Sequence, residues 1–171
     1  VVAGVNSEAA QHHKGIVANP NCTTMVMMMA LAPLHHAAGL ERLVVSTYQA
    51  VSGTGNKAIA ELEEQSSRVL AGEPIDDPKV YPHRIAFNVI PQVETFKDGD
   101  DYTTEERKVM AETRKILGFG DEVGISATCA RVPVVSGHSE SINIQTREDL
   151  SPDRAREILG QVSGVIVVDD P

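Results

Sequence analysis

A tight turn followed at once by an apolar helix is the local pattern that most constrains this chain. The hexapeptide Asn19–Thr24 leads into a methionine-rich stretch with helical composition that continues to Gly39. Pro20 and Asn21 suit the turn, so we expect Cys22 at or beside the first turn of the helix. Unpaired N–H groups at a helix start favour negative charge, and therefore the reactive thiolate form of cysteine. A buried cysteine that merely begins a helix fits this local pattern equally well.

Length and composition limit the class of protein. With 171 residues, 42% of them hydrophobic, the chain is long enough for one domain with a substantial core. We expect no membrane partner, because no apolar run approaches the ~20 residues of a membrane span and no signal-peptide pattern is recognisable. A net charge of −9 argues against a nucleic-acid partner. Two cysteines without a repeated spacing favour reduced thiols and a cytoplasmic location.

The alternation of apolar and turn-forming segments predicts an α+β fold. We expect a mixed, largely antiparallel sheet with helices packed on one face. A turn at Ser136-Gly137 could join two neighbouring strands as a hairpin. The predicted strands are 43–51, 85–93, 123–135, 139–146 and 164–168, and the predicted helices after Cys22 are 57–70, 105–117 and 151–162.

The two ends of the chain suggest that it is part of a longer protein. Residues 1–20 have no initiator methionine and are typical of the tail and linker of an upstream domain. Residues 21–171 are expected to form one domain that is truncated at its C-terminus, because the chain stops just after a predicted strand.

A glycine pair suggests a nucleotide site only weakly. Gly53 and Gly55 follow a predicted strand and open a helix, which superficially matches the dinucleotide-binding pattern. The match is weak, because that pattern requires a second strand ending in an acidic residue about 20 positions later. Bare backbone N–H groups at Ser52 and Gly53 could still approach a cofactor closely, since glycine removes the steric barrier.

Several polar positions have both a structural and a functional interpretation. Glu105 and Lys108 share one helix face, although a solvated face laced with ion pairs is the commoner explanation. Arg131 lies in an apolar strand, where it requires a substrate anion, a site carboxylate or a structural ion pair. The near-neutral pKa of an ordinary histidine would suit His138 for proton transfer beside a thiol. Cys129 is expected to be a packed core thiol, and no metal site is expected, because adjacent histidines point their rings in different directions.

Together, five ordered blocks resemble aspartate-semialdehyde dehydrogenase. They are Asn21-Cys22-Thr23, Ser46–Gly55 (STYQAVSGTG), Phe87–Gln92 (FNVIPQ), Glu105–Lys108 (EERK), and Arg131–Pro133 with Gly137–Glu140 (GHSE). The resemblance extends from about Gly15 to Val168, but it would cover only about half of such an enzyme. It implies a domain like the C-terminal domain of glyceraldehyde-3-phosphate dehydrogenase, and it strongly favours a nucleophile and base at Cys22 and His138.

The resemblance also implies a role for each polar residue. Cys22 would carry an acyl-thioester, and His138 would serve as the acid/base. The remaining roles are Gln49 orienting the substrate, Glu105 binding its amino group, Arg131 its carboxylate, Lys108 the phosphate, Asn21 lying near the phosphate or oxyanion, and Ser52 and Gly53 contacting NADP.

The activity implied by this resemblance is the NADP-dependent reductive dephosphorylation of L-aspartyl-4-phosphate to L-aspartate 4-semialdehyde. In this family the reaction feeds lysine (through diaminopimelate), threonine and methionine biosynthesis, and the enzyme is a homodimer or homotetramer. Residues 1–20 would then be the tail of the N-terminal NADP-binding domain. Because that domain is not among the 171 residues, we expect the chain alone to have no measurable turnover.

Three other interpretations stay open. An N-acyl-glutamyl-phosphate reductase uses the same thioester chemistry, but its acylated amine would not need Glu105, and its family carries glycine where this chain has Asn21. An acyltransferase or hydrolase using Cys22 and His138 would work without a nicotinamide and leaves the other polar positions unexplained. A non-catalytic dimerisation module is the third possibility.

Overall fold

The computed structural model describes residues 1–170, which contain four α-helices and three strands. The contacts divide these residues into a first unit, 1–45, 108–126 and 142–170, and a second unit, 46–107 and 127–141. The helices are α1 (Cys22–Ala38), α2 (Asn56–Ala71), α3 (Thr104–Leu117) and α4 (Pro152–Gly160); the strands are β1 (Leu40–Gln49), β2 (Gly124–Arg131) and β3 (Ser139–Thr146).

The three strands form one sheet in the order β2-β1-β3. β2 runs parallel to β1, as contacts near both ends of the two strands establish. The N–H of Val132, just after β2, donates to the carbonyl of Gln49 at 3.0 Å. Gly124 lies beside the side chain of Arg42 near the beginnings of the same two strands.

β3 runs antiparallel to β1, so the sheet is mixed. His138, just before β3, accepts a hydrogen bond from the N–H of Ala50, just after β1. At the other end, Arg147 after β3 donates its N–H to the carbonyl of Gly39 before β1, at 2.7 Å. The predicted α+β class with a mixed sheet is therefore confirmed.

α1 supplies much of the core of the first unit. Its methionine-rich face is buried, with Met28 fully inaccessible, and the helix packs against α4. It begins at Cys22 as predicted, because the side chain of Asn21 caps it by accepting the N–H of Thr23. It ends before Gly39, whose φ of 65° is strained for a residue with a side chain. Among the described residues, no helix is long and apolar enough to span a membrane.

α2 organises the second unit by holding a long loop against itself. The Gln65 side-chain oxygen accepts the N–H groups of Ile85 and Ala86 at 3.0 and 3.2 Å. The carboxylate of Glu61 accepts the N–H groups of residues 79–81. These bonds place the loop over an apolar cluster made of Val51, Ala58, Leu62, Ile85, Ala86 and Ile90.

The strand predicted at 85–93 is wrong, because the backbone at its start bonds to a side chain and not to a neighbouring strand. Its first two N–H groups are bonded to Gln65, and Phe87, with a φ of 54°, turns the chain. Within residues 1–170, only Ile90 of this segment pairs in a ladder, through an isolated bridge to Arg131. The segment is thus a loop that touches the free edge of β2 at one point.

The hairpin predicted between residues 123–135 and 139–146 is also wrong. β1 lies between the two strands, so they do not pair with each other. The connection crosses the chain that follows β1: Val51 donates its N–H to the carbonyl of Val134 at 2.9 Å, and Ser52 to that of Val135 at 3.1 Å. These bonds pull residues 132–135 out of β2, which ends at Arg131.

The strand predicted at 164–168 is not formed. The N–H of Val165 bonds back to the carbonyl of Val162 in a turn. Ile166 is 87% exposed, and none of the strands in residues 1–170 pairs with this segment. The three helices predicted at 57–70, 105–117 and 151–162 are confirmed to within about two residues.

Gln65→Leu is expected to lower the free energy of unfolding by about 2 kcal/mol. The substitution keeps the apolar part of the side chain but leaves two buried N–H groups without an acceptor. Leaving a buried donor unsatisfied costs ~1–3 kcal/mol of stability. Gln11→Leu, at an exposed position, is the matched control and should have little effect. Urea unfolding followed by circular dichroism measures both, and an unchanged midpoint in Gln65→Leu would contradict the proposed role of that side chain.

Candidate functional site

One end of the sheet collects most of the polar residues that the sequence singled out. Because β1 and β2 are parallel and β3 is antiparallel to them, the end of β1, the end of β2 and the start of β3 lie at the same sheet end. Those positions carry Gln49, Arg131 and His138, all in the second unit. The topology therefore brings together residues that are up to 89 positions apart in the chain.

Gln49 and Glu105 form a buried hydrogen-bonded pair. The side-chain nitrogen of Gln49 donates to Glu105 Oε1 at 2.9 Å, and the Thr47 hydroxyl donates to Gln49 Oε1 at 3.1 Å. Gln49 is 1% exposed and Glu105 is 4% exposed. A solvated surface face therefore does not describe the start of α3, because the Glu105 carboxyl group is held inside the second unit.

Arg131 is a buried cation with unused hydrogen-bonding capacity. Its Nη1 donates to the carbonyl of Ala50 at 2.7 Å, and its guanidinium lies 6.0 Å from the ring centre of Tyr81. Its Nε is inaccessible and finds no acceptor among residues 1–170. A buried guanidinium in this state is costly unless an anion completes it.

His138 is held by the same residue, Ala50, through its backbone N–H. Its Nδ1 accepts the N–H of Ala50 at 3.0 Å, so the proton of the neutral ring belongs on Nε2. Burial lowers the pKa of His138, and the nearby cation of Arg131 lowers it further, while the carboxylate of Glu105 acts in the opposite direction. The imidazole is therefore neutral at neutral pH and presents an N–H at Nε2.

The backbone at residues 52–53 differs from the expectation of bare N–H groups. The N–H groups of Ser52 and Gly53 donate to backbone carbonyls of the second unit at 3.1 and 3.3 Å. Gly53 instead leaves little room for a side chain: a Cβ at this position would lie 3.2 Å from Arg131 Nη1 and 3.4 Å from His138 Cε1. The glycine therefore gives the two functional side chains room beside an exposed stretch of backbone.

Asn21, Cys22 and Lys108 lie in the first unit. Cys22 is exposed at the first position of α1, and Lys108 is partly buried in α3. Asn21 caps α1 through its side chain, and its own N–H donates to the carboxylate of Glu112 at 2.8 Å. These contacts hold the chain immediately before the thiol. The approach of Cys22 to His138 stays a prediction.

The two cysteines occupy very different environments. Cys129 is fully buried in β2, as predicted for a packed core thiol. Burial raises its pKa to about 11, partly offset by a hydrogen bond with Thr47. Cys22 is exposed at the start of a helix. Of the two thiols, only Cys22 is therefore accessible to solvent.

Three acidic residues were missed by the sequence interpretation. Glu112 anchors the backbone before Cys22, and Glu106 binds backbone groups inside the second unit. Glu140 has both carboxyl oxygens inaccessible and without a hydrogen-bond partner in residues 1–170, and burial raises its pKa to about 7. Only Glu106 carried a recognisable signal, the capping-box spacing from Thr103.

The chain matches a known family over most of its length. The family model for the semialdehyde dehydrogenase dimerisation domain matches residues 31–171. The aspartate-semialdehyde dehydrogenase of Aquifex aeolicus (strain VF5) is 48% identical over 173 residues, covering 100% of this chain and 50% of that protein. The Bacillus subtilis (strain 168) enzyme of the same name is 44% identical over 179 residues, covering 100% of this chain and 51% of its own length. The chain thus spans about half the length of these curated relatives.

Solved structures agree with this match. Aspartate semialdehyde dehydrogenase II from Vibrio cholerae superposes with a TM-score of 0.89 and 41% identity, over 96% of this chain and 49% of that one. The same enzyme complexed with ASA gives a TM-score of 0.89 at 40% identity, over 96% and 48% of the two chains. The fold described above is therefore that of part of these enzymes.

Iodoacetamide at neutral pH is expected to alkylate Cys22 on the order of a hundredfold faster than Cys129. A buried thiol with a pKa of about 11 is almost wholly protonated at neutral pH, whereas an exposed thiol at a helix start is accessible and its thiolate is favoured. Cys22→Ser and Cys129→Ser variants assign the two rates by mass spectrometry. Equally slow rates would contradict a reactive role for Cys22.

Glu140→Gln is expected to stabilise the chain at high pH and not at low pH. The folded pKa of about 7 lies above the ordinary value of 4.5, so the folded state retains its proton while the unfolded state loses it. Stability is therefore lost as the pH rises from 4.5 towards 7, and a neutral amide removes that loss. The melting temperature of the variant should exceed that of the parent by a few degrees at a pH of about 8 and match it near 4.5.

Glu63→Gln, at an exposed position of α2, is the matched control for this pH experiment. It should not change how the melting temperature depends on pH. A Glu140→Gln variant that follows the parent at every pH would show that the carboxyl group is solvated after all.

Proposed function

Because this chain belongs to the semialdehyde dehydrogenase family, whose dimerisation domain it contains, we propose that it forms the substrate-binding and catalytic half of an aspartate-semialdehyde dehydrogenase. The reaction is the NADP-dependent reductive dephosphorylation of L-aspartyl-4-phosphate to L-aspartate 4-semialdehyde. The observation that carries this proposal is the grouping of a buried carboxylate, a buried guanidinium and a neutral imidazole at one end of the sheet, on Glu105, Arg131 and His138.

Substrate recognition follows from the two buried charges. The substrate carries an ammonium and a carboxylate on the same carbon, so it requires one anion and one cation held apart. Glu105, oriented by its bond to Gln49, binds the ammonium, and the unsatisfied Nε of Arg131 offers part of a two-pronged donor for the carboxylate. Lys108 supplies the compact positive charge that suits a phosphate group.

The covalent step belongs to Cys22. Its thiolate attacks the carbonyl carbon of the acyl phosphate, the C–O bond to phosphate breaks, and a thioester forms. Lys108 and Asn21 stabilise the departing phosphate or the oxyanion, with help from the N–H groups at the start of α1. NADPH, when bound, would supply the hydride that reduces the thioester to the aldehyde, with the Cys22 thiolate as the leaving group.

His138 acts chiefly through Nε2–H. The Ala50 N–H occupies Nδ1, so the neutral ring donates a hydrogen bond to the developing alkoxide and can give up its proton as an acid. The lowered pKa keeps the ring neutral near neutral pH, which preserves this donor arrangement. This favours the acid half of the acid/base role that the family resemblance implies.

Ser52 and Gly53 fit one edge of a nicotinamide site. Gly53 is exposed and lies against both Arg131 and His138, so a flat ring could approach these side chains without meeting a Cβ. Ser52 adds a partly buried hydroxyl to the same turn. These two residues would hold only the reactive end of the cofactor.

We further infer that the active protein is a homodimer or homotetramer in the cytoplasm, serving lysine, threonine and methionine biosynthesis. The family description itself names a dimerisation domain. Tyr48 supports a face for a second copy: it is 43% exposed between the buried neighbours Thr47 and Gln49, and therefore points away from the polar site. Ser139 and Ser141 alternate in the same way on β3.

The experiment that tests this function is a coupled turnover assay. This chain is joined to the first half of the Aquifex aeolicus relative, and nicotinamide reduction is followed with aspartate semialdehyde, NADP and phosphate. Phosphate-dependent NADPH formation is expected, and Cys22→Ala should reduce it by at least about a hundredfold. Cys129→Ala, which removes the other thiol, is the matched control and should retain most of the activity.

Two outcomes of this assay would overturn the proposal. Preferential turnover of N-acetyl-glutamate semialdehyde would identify an N-acyl-glutamyl-phosphate reductase. Thioester hydrolysis without any nicotinamide would identify an acyltransferase or hydrolase that uses Cys22 and His138.

A further inference from the structure

Each carboxylate oxygen of Glu106 accepts a backbone N–H group. The residue is 7% exposed, directly after the proposed amine-binding residue Glu105. Its Oε2 accepts the N–H of Thr103 at 2.8 Å, and the Thr103 hydroxyl accepts the N–H of Glu106 at 3.3 Å. This reciprocal pair is a capping box, which fixes the first turn of α3.

The second carboxyl oxygen of Glu106 reaches another element. Oε1 accepts the N–H of Cys129 in β2 at 3.0 Å. β2 is an edge strand of the sheet, and its outer N–H groups at alternate residues need partners. The N–H of Arg131 finds one in the carbonyl of Ile90 at 2.9 Å. Glu106 provides the corresponding acceptor two residues earlier.

Glu106 thus joins the two elements that carry the proposed recognition charges. Glu105 precedes it on α3, and Arg131 lies two residues beyond Cys129 on β2. A charged acceptor shared by two N–H groups is stronger and more directional than a neutral one. We propose that Glu106 is a positioning residue that sets the separation of the amine-binding carboxylate and the carboxylate-binding guanidinium.

This inference rests on the proposed function, because the required separation comes from the substrate. The ammonium and carboxylate of aspartate semialdehyde share one carbon, so both charges must fit at one fixed spacing. A displacement of about 1 Å at such a site can cost on the order of a hundredfold in rate. If α3 shifts relative to β2, the substrate keeps its carboxylate contact and loses its amine contact.

Succinate semialdehyde provides the discriminating probe, because it is the same molecule without the amino group. The protein used is this chain joined to the first half of the Aquifex aeolicus relative, and kcat and KM are measured for both aldehydes. Glu106→Gln replaces one acceptor oxygen by an NH₂ group that repels an N–H. We expect the preference for aspartate semialdehyde, as the ratio of the two kcat/KM values, to fall on the order of tenfold, mainly through KM.

Ser151→Ala is the matched control for the loss of a helix cap. Ser151 caps α4 through a 3.2 Å bond from the N–H of Arg154 and is exposed. Its loss should leave the substrate preference unchanged. Thr103→Val removes only the hydroxyl half of the capping box, so it should lower the preference for aspartate semialdehyde by a smaller factor than Glu106→Gln does. It tests the proposal if Glu106→Gln does not fold.

A double substitution tests whether Glu106 acts through its neighbour. Glu105→Gln alone should lower the preference, and adding Glu106→Gln should lower it no further, since the amine contact is already lost. If Glu106→Gln reduces turnover of both aldehydes equally, the residue supports stability only and the inference fails. If the parent protein does not turn over aspartate semialdehyde at all, the proposed function itself fails.

Discussion

The backbone of a single residue, Ala50, holds two side chains of the candidate site. Its carbonyl accepts Nη1 of Arg131 at 2.7 Å, and its N–H donates to Nδ1 of His138 at 3.0 Å. Ala50 can make both bonds because β1 ends at Gln49, so the N–H and carbonyl of Ala50 are not part of the strand pairing. The mixed topology then brings the ends of the flanking strands to the same place.

Burying the charged side chains at this end of the sheet costs free energy. Hydrogen bonds within the second unit offset that cost for some of these side chains but not for others. Glu105 has the amide of Gln49, and the Glu106 carboxylate is satisfied by two backbone N–H groups. Arg131 Nε and both oxygens of Glu140 are inaccessible and without partners among the described residues. Unsatisfied buried polar groups of this kind cost stability, and proteins retain them chiefly at functional sites. Arg131 fits that explanation directly, whereas nothing in the structure explains Glu140.

Local signals in the sequence predicted the local structure well. The helix start beside Cys22, the stop at Gly39 and the helix start at Ser151 each depend on a few adjacent residues, and each is formed as expected. The strand expected at 85–93 failed because its N–H groups are captured by Gln65, about 20 positions away. The hairpin failed for a similar reason, since β1 inserts between β2 and β3 and periodicity carries no information about strand order.

The site itself could be predicted only through the resemblance to a family. From the residues alone, Glu105 was better explained as part of a solvated helix, and its burial depends on how α3 packs. The steric role of Gly53 requires the positions of Arg131 and His138, which come from distant segments. Glu106 could have been recognised as a capping residue, but its bond to Cys129 spans 23 positions and has no sequence signature.

The tautomer of His138 bears on how the nucleophile is activated under the proposed mechanism. With Nδ1 accepting the Ala50 N–H, a neutral ring already holds its proton on Nε2 and cannot take another there. Protonating Nδ1 instead would break the Ala50 bond, and the pKa of His138 is lowered first by burial and then by the nearby cation of Arg131. Under the proposed mechanism, the N–H groups at the start of α1, beside the cap at Asn21, stabilise the negative charge on Cys22.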